Sequence, residues 1–364
     1  MNHFLRNIIL LIFLFTGIHS YAEESKEIVN HENEETGLNV TELIMDHLAD
    51  SYEWHITTIG HTHVSIPLPV IVKGKNSGWR LFLSSRFEHG HAEYKGFYIS
   101  KQKDTKGKIV EKNAAGEEVR PLDISITKNA CSLLMSSITL IIVVMSCARW
   151  YKKRQGKPEE ISPKGFIAAL EMLIMTIVND VAKPCIGKNY KRYIPYLLTV
   201  FFFIFFNNLL GIIPIFPGGA NVTGNIAITS VLAVCTFIIV NIFGSKEYWK
   251  EIFWPDVPIW LKALPVMPAI ELIGVFTKPF ALMIRLFANI LAGHAIVLGL
   301  TCMVFLTVSL GTALNTSMSI MAVLMSVLIG FVELLVAFIQ AYVFTLLSSV
   351  FIGLSQVEPH HVKH

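Results

Sequence analysis

Charged side chains are scarce in this sequence of 364 residues, where Asp, Glu, Lys and Arg together make up only 16%. Soluble domains carry about 25% of these residues. Hydrophobic residues reach 53% of the chain and gather in runs long enough to cross a bilayer. This balance excludes an ordinary soluble globule and indicates a protein that crosses a membrane several times.

Cysteine is also sparse, and none of it lies in residues 23–128, so that segment has no disulfide framework. The five cysteines lie in or beside apolar runs, and their spacing fits no metal site, so we expect packing residues. They are Cys131, Cys147, Cys185, Cys235 and Cys302. The pairs His61/His63 and His89/His91 are a weak metal signal, and surface residues are the favoured interpretation. We therefore expect neither a metal nor another cofactor.

Three functional patterns are missing as well. The sequence has no G-x-x-x-x-G-K-[ST] phosphate loop, no nucleophile motif and no internal repeat. The first two absences argue against a catalytic site in this chain. A self-contained secondary ion-coupled transporter remains the alternative, although such proteins usually show inverted repeats around broken helices. Basic residues gather beside apolar runs, so they indicate topology rather than nucleic-acid binding.

The N-terminal residues Met1–Ala22 have the pattern of a cleavable signal peptide. Arg6 supplies the basic region, Ile8–Phe15 the apolar core, and Ser20–Ala22 a small-x-small cleavage site. An uncleaved membrane anchor is the alternative, but the apolar run is too short to span comfortably. Both interpretations predict that the residues after it are exported.

Residues 23–128 are then predicted to form an exported extramembrane domain of mixed type. Leu38–Trp54 has apolar residues at helical spacing. Ser65–Phe87 and Glu93–Lys112 resemble short strands joined by turns such as Gly74–Gly78. We expect a small domain that combines a helix with strands.

Residues 129–356 are predicted to form an all-α polytopic transmembrane domain with about five spans and a long, tilted C-terminal helical hairpin. Basic residues directly after the first span place its end in the cytoplasm. Ser309–Ser317 is the predicted loop of the hairpin, and residues 357–364 are a cytoplasmic tail. An amphipathic helix at Ser162–Lys183 is predicted on or partly in the cytoplasmic face. The spans are Asn129–Ala148, Tyr193–Ile213, Asn225–Phe243, Ile270–Leu310 and Met318–Ser355.

A polar stripe runs along the penultimate span. Glu271, Lys278 and Arg285 are seven residues apart, and Asn289 follows Arg285 by four, so all four share one helix face. An Arg at the centre of a membrane helix costs roughly 2.5–3.5 kcal/mol on insertion scales. Because guanidinium stays protonated, Arg285 can attract or block ions but cannot relay a proton. Snorkelling of Arg285, and an interface role for Glu271 and Lys278, are the structural alternatives.

Two further polar groups lie outside that stripe. His294 is nine residues past Arg285, near the opposite helix face. Glu333 and Gln340 share a face of the last helix, and an antiparallel hairpin would bring Glu333 towards His294. A carboxylate and an imidazole on neighbouring helices are a plausible proton relay, although a buried structural pair is also possible.

Asn207 and Asn208 lie inside the second predicted span. Helix–helix hydrogen bonding is the favoured interpretation, and channel lining is the alternative.

The string R-L-F-A-N-I-L-A-G-H at Arg285–His294 and the string N-L-L-G-I-I-P at Asn208–Pro214 resemble subunit a of the F-type ATP synthase. The upstream Lys278–Pro279 and the later Glu333 and Gln340 add to the resemblance, which covers roughly residues 121–356. It implies a membrane stator in a bacterial plasma membrane, in which Arg285 faces the essential carboxylate of a rotating c-ring. Protons then pass through two half-channels, and ring rotation drives ATP synthesis.

The resemblance further implies contact with the subunit b stalk, and indirectly with the F1 head. The acid and the imidazole are exchanged relative to well-known bacterial members, since His294 precedes Glu333 here. An exchanged pair retains the same chemistry if the two groups touch. The exported domain has no obvious counterpart in compact members of the family.

Overall fold

The computed structural model describes residues 44, 49–59, 62–74, 78–102, 105–113, 116–154, 163–213, 218–253 and 266–356. The predicted signal peptide, the C-terminal tail and most of the predicted helix before Trp54 lie outside these residues. The chain divides into a larger unit of residues 50–293 and 330–364 and a smaller one of residues 1–49 and 294–329.

In the larger unit, residues 50–127 form a domain of short strands, called the strand domain below. The described strands form three small antiparallel sheets. The first pairs β1 (Glu53–Ile59) with β2 (Thr62–Pro67). In the second, β3 (Pro69–Gly74) lies between β4 (Gly78–Leu83) and β8 (Leu122–Asp123), and in the third, β6 (Ile109–Lys112) lies between β5 (Phe97–Ile99) and β7 (Glu118–Val119).

The core of the strand domain follows from strand alternation. Val70 and Val72 point to the same side of β3, and both are fully buried with Phe87 and Phe97. The mixed character and the strands after residue 65 agree with the sequence prediction. The prediction was wrong at Glu53–Trp54, which begin β1 instead of ending a helix. Pairing with β2 outweighs the helix-like spacing of the preceding apolar residues.

Eight α-helices are described in the rest of the chain. They are α1 (Lys128–Arg154), α2 (Phe166–Thr176), α3 (Lys183–Ile186), α4 (Tyr190–Ile212), α5 (Ile226–Ile242), α6 (Lys246–Phe253), α7 (Val266–Leu306) and α8 (Thr312–Ser355). Short π and 3-10 segments at Ile177–Ala182 and Gly187–Asn189 join α2, α3 and α4.

Within the described residues, four helical stretches are long and apolar enough to cross a membrane, and a fifth arises if α5 and α6, bent by 98°, count as one. This confirms the prediction of about five spans. The last two candidate spans contain 41 and 44 residues, as expected for a long C-terminal hairpin.

The segment Ser162–Lys183, predicted as an amphipathic helix on or partly in the cytoplasmic face, is helical from Phe166 onward. Residues Phe166–Ile212 form one 47-residue helical stretch, bent where Gly187 takes a φ of 73°. Ile177 and Val181 are buried in the same cluster as Leu197 of α4. Apolar contact with the bundle therefore draws this segment into the core.

In the smaller unit, the hairpin turn is shorter than predicted. A 3-10 turn at Thr307–Leu310 and Gly311, with a φ of 110°, separate the two helices, so residues 312–317 are helical. The Thr316 hydroxyl donates to the Thr312 carbonyl at 2.8 Å, and the Thr307 hydroxyl donates to Asn315 Oδ1 at 2.9 Å. The Asn315 backbone N–H donates to the Gly311 carbonyl at 3.0 Å, and this Ser/Thr-rich segment begins α8.

Candidate functional site

Arg285 lies on an exposed face of α7. The opposite face packs into the bundle, since Leu282 is 2% and Leu286 is 0% exposed. Among the residues that the structure describes, Arg285 takes part in no ion pair. An exposed guanidinium within a membrane helix cannot rest against lipid tails without a large cost, so this face requires water or a partner group.

The surface around Arg285 is built from small residues. Ala281, Ala288 and Ala292 precede or follow Arg285 by four, three and seven positions, and all three are exposed. Small side chains permit close approach of another helix in a membrane. This exposed face therefore combines a positive charge with small side chains that would let a neighbouring helix approach closely.

A hydrogen bond joins α7 to α8 one turn beyond Arg285. The Asn289 side-chain amide donates to Gln340 Oε1 at 2.9 Å, and Gln340 is only 3% exposed. Ala337 and Ala341, on either side of Gln340, are fully buried, so this stretch of α8 faces the interior of the bundle. The structure therefore brings these two predicted site residues together.

Glu333 lies against the backbone of α7 at Gly293. A Cβ atom placed on Gly293 would come within 2.5 Å of Glu333 Oε1, so the glycine leaves the room that the carboxylate occupies. His294 is the next residue in α7 and is partly buried. Gly293 was not singled out by the sequence analysis, although a glycine in a helix is a signal of close approach.

Glu271 and Lys278 lie towards the start of α7. Glu271 is exposed, whereas Lys278 is partly buried with its Nζ 5.8 Å from the centre of the Phe351 ring. Lys278 also lines a small pocket of about 20 Å³, together with Thr236, Asn241, Tyr248, Pro279 and other residues. Glu271 and Lys278, although both belong to the predicted stripe, thus have different surroundings.

Asn207 and Asn208 are both buried within α4. The Ser136 hydroxyl of α1 donates to Asn207 Oδ1 at 2.8 Å, and the Thr223 hydroxyl donates to Asn208 Oδ1 at 2.6 Å. Asn208 Nδ2 donates to the Ala337 carbonyl of α8 at 3.4 Å. These bonds fit the helix-packing interpretation.

A buried series of hydroxyl groups was missed by the sequence analysis. Tyr196 and Thr236 share a hydrogen bond of 2.7 Å, and Thr236 and Ser348 share one of 3.4 Å. Ser349 donates to the Val181 carbonyl at 3.4 Å. The available signal was the spacing of Thr345, Ser348 and Ser349 along one face of an otherwise apolar helix.

Two family models match the chain. One, described as ATP synthase A chain, covers residues 133–353, and one described as a domain of unknown function covers residues 43–127. The first therefore contains the whole of the α7–α8 site, and the second contains the strand domain.

Several known proteins are similar to this chain. ATP synthase subunit a of Chlorobium phaeobacteroides (strain DSM 266 / SMG 266 / 2430) is 38% identical over 319 residues, which is 84% of this chain and 87% of that protein. The Pelodictyon phaeoclathratiforme subunit is 42% identical, over 67% of this chain and 69% of that protein. The Myxococcus xanthus subunit is 40% identical, over 66% and 76% respectively. With the family model spanning more than half of its residues, this chain belongs to the ATP synthase A chain family.

Proposed function

We propose that this chain is the membrane stator subunit of a rotary F-type ATP synthase. It conducts protons through two half-channels to and from carboxylates of a c-ring, and so couples proton flow to ATP synthesis. The observation that carries the proposal is the exposed Arg285 on a face of small residues, within a chain of the ATP synthase A chain family. The chain itself needs no cofactor and performs no catalytic step.

The charge of Arg285 defines what its partner must supply. A fixed guanidinium favours the ionised form of a carboxylate brought near it, because opposite charges within a few ångströms lower the pKa of the acid. Among the described residues no ion pair engages Arg285, and we assign the carboxylate to another subunit. The alanines beside Arg285 leave room for that subunit's helix. A carboxylate would therefore release its proton as it meets this face.

The half-channel leading from the outside uses Glu333 and His294, with Gln340 held by Asn289 at the α7–α8 contact. Gly293 supports this assignment, since it admits the carboxylate of Glu333 to the α7 backbone. A carboxylate and an imidazole can each take up and release a proton, whereas the guanidinium stays charged.

The half-channel on the cytoplasmic side uses Glu271 and Lys278, and the pocket beside Lys278 supports this placement. Asn207 and Asn208 act by holding helices together.

The chain is a multi-pass protein of the bacterial plasma membrane. We place the strand domain outside and the C-terminus in the cytoplasm, because Lys152, Lys153 and Arg154 close α1. A signal peptide at residues 1–22 would give the same orientation. Besides the c-ring, the partners proposed are subunit b of the peripheral stalk and, indirectly, the F1 head.

Cysteine crosslinking in the purified complex tests the stator assignment. Ala288→Cys places a thiol on the exposed face beside Arg285, and Leu282→Cys places a matched thiol on the buried face of the same helix. We expect Ala288→Cys to crosslink to a small ring-forming subunit and Leu282→Cys to give no such product. Equal crosslinking of the two variants, or transport of an ion or solute by the isolated chain, would contradict the proposal.

A further inference from the structure

Residues 220–223, in the loop between α4 and α5, are buried although they belong to no helix. Ala220, Val222 and Thr223 are each 1% exposed, and Asn221 is 6% exposed. Connecting loops usually run over a protein surface, because their backbone groups need water. Another part of the chain must therefore cover this loop.

The strand domain supplies that cover. Trp54, at the start of β1, is only 4% exposed and forms one apolar cluster with Ala220 and Val222. Residues from β2, α1 and α5 complete the cluster: Ile66, Cys131, Leu133, Met135 and Ile228. A tryptophan buries more apolar surface than any other side chain of this cluster, so it is the principal anchor.

A second attachment joins the strand domain to the first membrane helix. The Lys128 backbone N–H donates to the Ser51 carbonyl at 2.8 Å, and the Asn129 backbone N–H donates to Asp50 Oδ1 at 3.0 Å. The first N–H groups of a helix lack partners within the helix, so these bonds satisfy α1 directly. The strand domain is thus fixed both to α1 and to the loop.

The loop in turn bonds to Asn208 of α4, and Asn208 bonds to α8, the helix that carries Glu333. Thr223 donates to Asn208 Oδ1 at 2.6 Å, and Asn208 Nδ2 donates to the Ala337 carbonyl at 3.4 Å. Ala337 lies one turn after Glu333 and three residues before Gln340. A continuous set of contacts therefore runs from Trp54 to the proposed outer half-channel.

We propose that the strand domain is a clamp for proton entry, with Trp54 as a positioning residue. Trp54 holds the α4–α5 loop in the bundle, and the loop keeps Asn208 bonded to α8 so that Glu333 and Gln340 stay aligned with α7. The physical attachment rests on the contacts of Trp54 with Ala220 and Val222 and on the hydrogen bonds of Asn208. Its effect on proton flow rests on the proposed function.

Two measurements on the assembled complex test the clamp. Cys131 lies in the Trp54 cluster and is partly buried, so its labelling by a membrane-impermeant maleimide from outside reports release of the domain. The other four cysteines are replaced by serine. Passive proton flux through membranes stripped of the F1 head reports the half-channel. Immunoblotting measures the amount of assembled complex, and both the labelling and the proton flux are divided by that amount.

We expect Trp54→Ala to raise Cys131 labelling several-fold and to lower proton flux several-fold, with Trp54→Phe in between. The control Trp79→Ala removes a 56% exposed tryptophan of the same domain and should change neither readout. Thr223→Val acts after the clamp, so it should lower flux without changing Cys131 labelling, and Thr223→Ser should restore flux. If the Trp54→Ala complex fails to assemble, Val222→Ala is used instead, because it weakens the same contact from the side of the loop. It should change both readouts in the same direction as Trp54→Ala.

Unchanged Cys131 labelling in assembled Trp54→Ala and Val222→Ala complexes would overturn the clamp. Increased labelling with normal flux would overturn the positioning of the half-channel. An unmodified complex that carries no protons would instead refute the proposed function, and the labelling experiment could still be read.

Discussion

At the scale of single residues, Arg285 carries the strongest expectation, because its charge is permanent and its face is exposed. Arg285→Ala should reduce ATP-driven proton pumping in inverted membrane vesicles to background, since no charge then opposes direct passage or ionises the ring carboxylate. Ile284→Ala is the control, as it removes a 38% exposed neighbour without changing charge, and it should pump normally. Coupled pumping by Arg285→Ala would contradict the assigned role.

A second residue-scale prediction concerns the Glu333 carboxylate. Glu333→Gln, with His294 intact, should slow passive proton flux at least tenfold, because an amide cannot take up and release a proton in the same way. Gly293→Ala retains the carboxylate but puts a Cβ atom 2.5 Å from Oε1, so it should slow flux to a smaller extent by displacing Glu333. Normal flux in Glu333→Gln would mean that the group is structural.

The polar stripe shows how much of the site is readable from sequence. Helical periodicity predicts which residues share a face, but it did not predict the Asn289–Gln340 hydrogen bond. Periodicity cannot give the partner of a side chain on a distant segment. The Thr223–Asn208 bond and the approach of Glu333 to Gly293 were therefore found only in the structure.

At the scale of whole elements, apolar length predicted the spans well, whereas their ends depended on local bonds and packing. Hydroxyl and amide groups extend α8 back to Thr312, six residues before its predicted start. Burial of Ile177 and Val181 joins the predicted surface helix to the bundle. Composition alone shows neither where a polar segment begins a helix nor which apolar residues meet the bundle.

Glycine positions on α8 allow a test of helix packing. A Cβ atom on Gly353 would lie 2.0 Å from the Cys185 carbonyl oxygen, a backbone atom that cannot turn aside. Gly353→Ala should therefore force α8 away from α3 and destabilise the assembled complex by about 1–3 kcal/mol, the usual cost of overpacking.

Gly330→Ala is the matched control in the same helix, because nothing lies within 4 Å of the added atom. It should leave stability unchanged or raise it by about 0.5–1 kcal/mol, since alanine favours helix. Thermal unfolding of the purified complex measures both variants. Equal unfolding temperatures for the two would show that the α3–α8 contact yields easily.

At the scale of the whole molecule, sequence patterns separate a strand domain from a helical domain but do not show how they meet. Trp54 illustrates the reason. Its local pattern fits a helix end, whereas its place in the fold depends on Ala220 and Val222, more than 160 positions along the chain. Contacts at such separation form only when the tertiary fold is complete, so single-sequence reasoning does not reach them.

The strand domain itself contains a titratable group whose environment sets a pH limit. The Tyr52 hydroxyl donates to Asp123 Oδ2 at 2.5 Å, and Tyr52 is 5% exposed. Burial, followed by the hydrogen bond and the negative charge of Asp123, raises the pKa of Tyr52 well above its ordinary value of 10.0. The protonated form is therefore favoured in the folded domain.

Because the folded pKa is raised, the stability contributed by Tyr52 is fully present below pH 10 and is lost as the pH rises above it. We expect the free energy of opening of β3 and β8 to be constant from pH 7 to 9 and to fall at higher pH.

Tyr52→Phe should lower this free energy of opening by about 1.5–3 kcal/mol at pH 8, the usual cost of losing a hydrogen bond to a charged group. It should also make the fall at high pH less steep. Tyr98→Phe removes a partly buried hydrogen bond to Glu118 and should have a smaller effect, because Tyr98 is more exposed than Tyr52. Hydrogen–deuterium exchange of the strand peptides in the intact complex, corrected for intrinsic rates at each pH, measures all three proteins. An identical alkaline fall in wild type and Tyr52→Phe would assign the pH limit to another group.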